Sequence, residues 1–133
     1  MYTFKTIIAA LVLLLPTALG HAQAINPSQA AIACTTLGDL FHDATDARDR
    51  GVSLKDDLDL SAKAAQIAPD PRMSPLDFVR VYSVIAVNAR WNPQYQHTGP
   101  SMNKLLAESR CTSIGPKAFY AELVAIGQTL FKQ

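Results

Sequence analysis

The sequence predicts an all-α protein, a compact five-helix bundle in which one disulfide ties the first helix of the mature chain to the fourth. Apolar residues recur at steps of three and four along almost the whole chain, and no segment shows the sustained alternation of a half-buried strand. Serine, proline and glycine residues stand where helices would begin and end. Two cysteines, Cys34 and Cys111, occur in a chain that we expect to be exported, which is most simply read as one disulfide.

The first 24 residues have the pattern of a secretory signal peptide. Lys5 supplies the positive charge, residues 7–15 form an apolar run, and Ala22-Gln23-Ala24 is a small-x-small cleavage site. The apolar run is too short to cross a bilayer, which needs about 20 residues. We therefore expect a signal peptide at 1–24, a single helical domain at 25–133 and a periplasmic or secreted location, without membrane insertion after signal cleavage.

The first mature helix is predicted between Ser28 as N-cap and Gly51 as C-cap. Its inward stripe repeats at steps of three and four and consists of Cys34, Leu37, Phe41, Ala44 and Arg48. The opposite, polar face consists of Asp39, His42, Asp43, Asp46 and Arg50. This pattern predicts a buried Cys34 and a solvated charged face.

Serine caps also mark the next two helices. Ser53 caps the second helix, in which Asp56 stands at the position of a capping-box acid and Asp57 and Asp59 lie near the positive end of the helix dipole. Ser74 caps the third helix and is followed by Pro75 at its first position. The apolar stripe of the third helix runs toward Trp91 and consists of Phe78, Val81, Tyr82, Ile85 and Ala89.

The segment 92–100, with its Asn-Pro and Gly-Pro dipeptides, is predicted to be the principal loop. A fourth helix of about residues 101–112 carries Cys111, and a fifth follows Gly115-Pro116. The seam of the fifth helix consists of Phe119, Leu123, Ile126 and Leu130. This seam could cover the core of the monomer or pair with a second copy, and we expect the monomer because a small domain has little core to spare.

Charge and motif content exclude several function classes. Removing the first 24 of the 133 residues takes away one lysine and leaves 109 residues with 11 basic and 11 acidic side chains. A nucleic-acid-binding protein normally shows a basic excess or stripe, which is missing here. The sequence also lacks a phosphate-binding glycine loop, a Gly-x-Ser-x-Gly elbow and a His-Glu-x-x-His motif. We therefore expect neither enzymatic activity nor a bound cofactor or metal, and no nucleic-acid partner.

Aromatic and polar residues around the principal loop form the candidate binding site. The candidate contact residues are Trp91, Asn92, Tyr95 and His97. Such residues often make protein-binding surfaces. We expect Trp91 to close over the core and Tyr95 and His97 to be exposed. The predicted function is a non-catalytic exported binding protein, in one form an immunity or inhibitor protein, that acts on another protein through the 91–98 loop.

Two alternatives remain open from the sequence. The first is a metal-dependent or hydrolytic periplasmic enzyme that uses the Asp39/His42/Asp46 face, because a carboxylate and an imidazole three or four residues apart can share a divalent metal. The second is an acid-stress periplasmic chaperone of the small helical disulfide type. Arg90 and Arg110 are expected at the solvated surface, where they could supply rim contacts to a partner.

Four motifs carry a family resemblance between Cys34 and Cys111. They are Cys34, the turn Ala47-Arg48-Asp49-Arg50-Gly51-Val52-Ser53, the loop Asn92-Pro93-Gln94-Tyr95, and the closing Cys111. In this order they resemble a group of small exported bacterial two-cysteine helical proteins. More distantly, a helix ending in Asn-Pro and a following helix ending in Cys are similar to immunity proteins that neutralise type VI secretion amidase effectors. The second resemblance implies a rigid helical bundle that blocks an enzyme's cleft through the loop from Asn92 to His97.

Overall fold

The computed structural model describes residues 26–130 and 132. In this part of the chain it has five helices: α1 (Pro27–Asp49), α2 (Leu54–Ile67), α3 (Pro75–Trp91), α4 (Pro100–Ile114) and α5 (Pro116–Leu130). The prediction of an all-α five-helix bundle is therefore confirmed. The predicted signal peptide at 1–24 and its predicted cleavage site lie outside the described residues.

Side-chain caps and glycine turns set the helix ends. The side chain of Ser53 accepts a hydrogen bond from the Asp56 amide at 3.1 Å, as predicted for the start of α2. Ser74 caps α3 in the same way. The start of α1 differs from the prediction, because the cap is Asn26 rather than Ser28. Gly51 ends α1 with φ +77°, a left-handed conformation that favours glycine.

The core lies between α3 and the helices around it. Every residue of α3 from Val81 to Ala89 is buried. α1, α4 and α5 supply the other large core side chains, among them Phe41 and Phe119. α2 contributes least, with only Asp57 and Ala65 buried. The bundle therefore consists of four helices around a common core and one helix, α2, laid against the outside of α3.

The predicted disulfide is confirmed. Cys34 on α1 and Cys111 on α4 are bridged, with their Cα atoms 5.5 Å apart, and both residues are buried. One turn further along α1, a Cβ atom added to Gly38 would lie 2.5 Å from Cγ of Glu108 on α4. The disulfide therefore joins α1 and α4 where the two helices lie close together. Both helices also contact the loop between α3 and α4, each from its own side.

α5 packs on the core of the same chain. Phe119 and Leu123 of the predicted seam are buried, whereas Ile126 and Leu130 are only half-buried. Tyr120 and Val124 are buried beside them. The buried face is therefore rotated by about 60° from the predicted seam, toward Tyr120 and Val124.

Candidate binding loop

Arg48 of α1 holds the loop between α3 and α4, which spans residues 92–99. Its guanidinium donates to the Ala89 carbonyl at 2.7 Å, to the Tyr95 carbonyl at 2.9 Å and to the Thr98 carbonyl at 2.7 Å. A planar guanidinium with five donors suits this convergence of acceptors. Asp49 lies 2.7 Å from the same group and balances its charge. One α1 side chain thus bonds to the last turn of α3 and to two points within the loop.

Asn103 of α4 holds the loop from the other side. Its buried side-chain amide donates to the Tyr95 carbonyl at 3.0 Å and to Thr45 Oγ1 of α1 at 2.9 Å. The hydroxyl of Thr98 donates to the Asn103 side-chain oxygen. Because a buried polar group is costly unless it is hydrogen-bonded, this network favours one loop conformation.

Two asparagines fix the entry to the loop. Asn88 of α3 donates to the Leu123 carbonyl of α5 at 3.1 Å, and its side-chain oxygen accepts from Asn92 at 2.9 Å. The side-chain oxygen of Asn92 then accepts from the Gln94 amide at 3.0 Å. Asn92, a predicted contact residue, is 4% exposed and acts inside the protein as the C-cap of α3.

Tyr95 is buried, and the expectation that it would be exposed is wrong. It is 1% exposed, and its ring centroid lies 4.5 Å from that of Phe41 on α1. Burial raises the pKa of the Tyr95 hydroxyl to about 12. The ring therefore anchors the loop in the core, through a contact between residues far apart in sequence that no local pattern shows.

Trp91 is exposed, and the expectation that it would close over the core is also wrong. Its exposed fraction is 44%. The buried line of α3 runs through Ile85, Ala89 and Asn92, at steps of four and three. Trp91 comes two residues after Ala89, about 200° around the helix, so it faces away from that line. Continuing the predicted stripe by three residues from Ala89 leads to Asn92 rather than to Trp91, so the sequence pattern itself indicates that Trp91 is exposed. His97 is exposed, as expected.

The turn at residues 47–53 has a structural role at this loop. Ala47 is buried, Arg48 makes the three loop contacts, and the Val52 amide donates to the Ala47 carbonyl at 3.0 Å across the Gly51 turn. The Val52 carbonyl accepts from Arg90 at 3.0 Å. The Ala-Arg-x-x-Gly-Val pattern thus ends α1 and positions the guanidinium under the loop.

A second polar cluster, absent from the sequence predictions, joins α2 to α3. Asp57 lies in the first turn of α2, as predicted, and is buried there; the Tyr82 hydroxyl donates to its Oδ1 at 2.7 Å. Arg90 Nη1 lies 3.1 Å from Asp57 Oδ2, an ion pair that lacks hydrogen-bond alignment. The side chains of Arg90 and Asp57 are 7% and 6% exposed, so the surface role expected for Arg90 is wrong. Burial, and then the bond to Asp57, raise the pKa of Tyr82.

The charged face of α1 forms ion pairs with neighbouring side chains. Asp39 pairs with Lys104 at 2.7 Å, and Asp46 pairs with Arg50 at 2.9 Å. His42 lies 3.4 Å from Asp43. Among residues 26–130 and 132, no three His, Cys, Asp or Glu side chains converge as a metal-binding group. The residues of the metal-enzyme alternative therefore do not meet at one point in the described chain.

Arg110 lies away from the loop cluster. It forms a two-contact pair with Glu122 of α5, with N–O distances of 3.0 and 3.1 Å, and its side chain is 44% exposed. An exposed pair of this kind contributes little to stability. Arg110 thus stays at the surface, as expected, while Arg90 does not.

Comparison of the chain with protein-family models, with curated proteins and with solved structures gave no match. None of the helices in the described part of the chain combines the length and the apolar character needed to cross a bilayer.

Proposed function

We propose that this protein is a non-catalytic, exported helical binding protein of the periplasm that acts on another protein through the 91–98 loop. One observation carries the proposal: hydrogen bonds from α1 and α4 fix the loop backbone, Asn88 of α3 holds the Asn92 side chain at the start of the loop, and Trp91 and His97 present exposed side chains. A loop that is already ordered loses little conformational entropy when it binds. Exposed aromatic side chains at such a site are typical of binding hot spots.

The four candidate residues divide into two roles in this proposal. Trp91 and His97 contact the partner, with the exposed Pro93 and Gln94 between them. Asn92 and Tyr95 hold the loop shape from inside. A pre-formed loop on a disulfide-fastened bundle would suit an immunity or inhibitor protein, because complexes of inhibitors with their enzymes form with little backbone movement.

Capture of partners from a periplasmic extract tests the proposal. The wild-type protein should retain a partner that the double variant Trp91→Ala/His97→Ala releases, with an affinity loss of about 30-fold or more if the pair forms a hot spot. Leu76→Ala is the matched control, because Leu76 is 60% exposed at the opposite end of α3. A partner that binds the double variant as tightly as the control would refute the loop as the binding surface.

A further inference from the structure

α2 presents an apolar stripe to solvent on the side turned away from α3. Ile67 is 84% exposed, Leu60 is 59% exposed, and Ala64 between them is also exposed. Their spacing of four and three residues places them on one face of the helix. α2 is therefore apolar on its outer face as well as on the face that contacts α3.

Two charged side chains of opposite sign lie on the same face. Asp56 and Lys63 are exposed, and neither forms an ion pair within residues 26–130 and 132. Their neighbours Lys55 and Asp59, by contrast, pair with each other at 3.1 Å. At 100° per residue, Asp56 and Lys63 fall with the apolar stripe within about 100° of arc. The outer face of α2 thus carries one acid, one base and an apolar centre.

This pattern is self-complementary when α2 meets a second α2 in antiparallel orientation. The two-fold axis is placed level with the midpoint between Asp59 and Leu60. Each residue of one α2 then lies opposite the residue of the other α2 whose number is 119 minus its own. Asp56 then lies opposite Lys63 of the partner subunit, and the symmetry repeats that pair on the other side of the axis. The two copies of Leu60 flank the axis, and Ile67 reaches Val52 of the partner subunit.

We propose that a second copy of this chain docks on α2, forming an antiparallel α2–α2 homodimer with Leu60 at its centre and two Asp56–Lys63 ion pairs around it. The 14 residues of α2 span about 21 Å, so the contact falls at the small end of specific interfaces and the dimer is a reversible one. The dimer differs from the pairing considered for α5, because it uses a helix outside the common core. It is independent of the proposed binding function.

Reversing the charges of the proposed ion pairs tests whether a second copy binds α2 and whether the two helices align as proposed. Sedimentation equilibrium of the purified, oxidised protein should show a monomer–dimer equilibrium. Asp56→Lys and Lys63→Asp should each weaken dimerisation by about tenfold or more, because each sets two like-charge pairs across the axis. The double variant D56K/K63D restores opposite charges, as does an equimolar mixture of the two single variants, and both should dimerise within about threefold of the wild type.

Leu105→Glu serves as the control, since Leu105 is also 59% exposed but lies on α4, and it should dimerise like the wild type. Far-UV circular dichroism separates loss of the dimer from loss of the fold. Lys63→Asp keeps the test valid if Asp56→Lys weakens the start of α2. A wild-type protein that stays monomeric up to about 1 mM overturns the proposal. Single charge reversals that leave the dimer intact would also overturn the proposal, as would a double variant D56K/K63D that does not dimerise.

Discussion

The 92–99 loop and α2 are each fastened by one arginine, but in different ways. Arg48 donates to three backbone carbonyls of the loop and its approaches, and Asn103 adds further bonds from α4. Arg90 donates to one carbonyl beyond its own helix, that of Val52 before α2, and otherwise faces the carboxylate of Asp57, whose Oδ2 receives no aligned hydrogen bond. The loop also buries the ring of Tyr95, whereas α2 buries only two residues. A segment without regular structure is thus held more firmly than a 14-residue helix.

This difference shows that attachment depends on what a segment buries and how fully its polar groups are bonded, rather than on its secondary structure. Hydrogen bonds to backbone acceptors stay satisfied at any pH in the normal range, whereas a buried ion pair fails when either charge is removed. Local opening is therefore expected to start at α2 rather than at the loop.

The largest effect is expected from Asp57→Asn. The change keeps an acceptor for Tyr82 but leaves the Arg90 charge buried without its counterion, so it should lower the free energy of unfolding by about 3 kcal/mol. Hydrogen exchange should accelerate in α2 before it does in the rest of the bundle. Urea unfolding followed by circular dichroism measures the loss of stability.

Asp59→Asn is the control for this change, because it removes an exposed carboxylate from the same helix, outside the proposed Asp56–Lys63 pairs, and should cost less than about 1 kcal/mol. Equal losses for the two variants would show that the buried pair does not fasten α2.

An intermediate effect is expected from Arg48→Met. The apolar chain keeps much of the packing, but three carbonyls lose a charged donor. The Tyr95 carbonyl keeps its bonds from Asn103 and Thr98, and the Thr98 carbonyl keeps one from Asn103. The expected loss is about 2 kcal/mol. Amide exchange should accelerate at Gln96 and Thr98, whose amides donate within the loop, and α2 should keep its protection. If Arg48→Met accelerates exchange, relative to the wild type, more in α2 than in the loop, the result would contradict the comparison.

Local patterns in the sequence predict the helices and most of their ends. Ser53, Ser74 and Gly51 mark boundaries because capping depends on a few neighbouring residues. The disulfide also follows from the sequence, because two cysteines allow a single intramolecular pairing.

The candidate site was harder to predict, because its residues meet through the fold. Tyr95 is buried by Phe41, and Asp57 is neutralised by Arg90, over separations that periodicity does not reach. The inward position of Asp57 was available from the sequence, since it lies three residues after Leu54 on the side that faces the core. Its partner could be found only from the packing of α2 on α3.

The smallest effect concerns the far end of α2, where Asp70 and Arg72 form a two-contact pair and Arg72 also donates to Thr36 of α1 at 2.8 Å. The hydrogen bonds from Arg72 hold the pKa of Asp70 below its ordinary value of 3.8. A carboxyl with a lowered folded-state pKa stabilises the protein above its unfolded pKa, and this contribution is lost as pH falls through the folded value. Asp70→Asn should therefore cost less than about 1 kcal/mol at neutral pH and flatten the fall in stability below about pH 4. Arg72→Met should flatten it equally, and the double variant no further. If the free energy of unfolding falls with pH equally steeply in the wild type and in Asp70→Asn between about pH 2 and 5, this pair does not fasten the far end of α2.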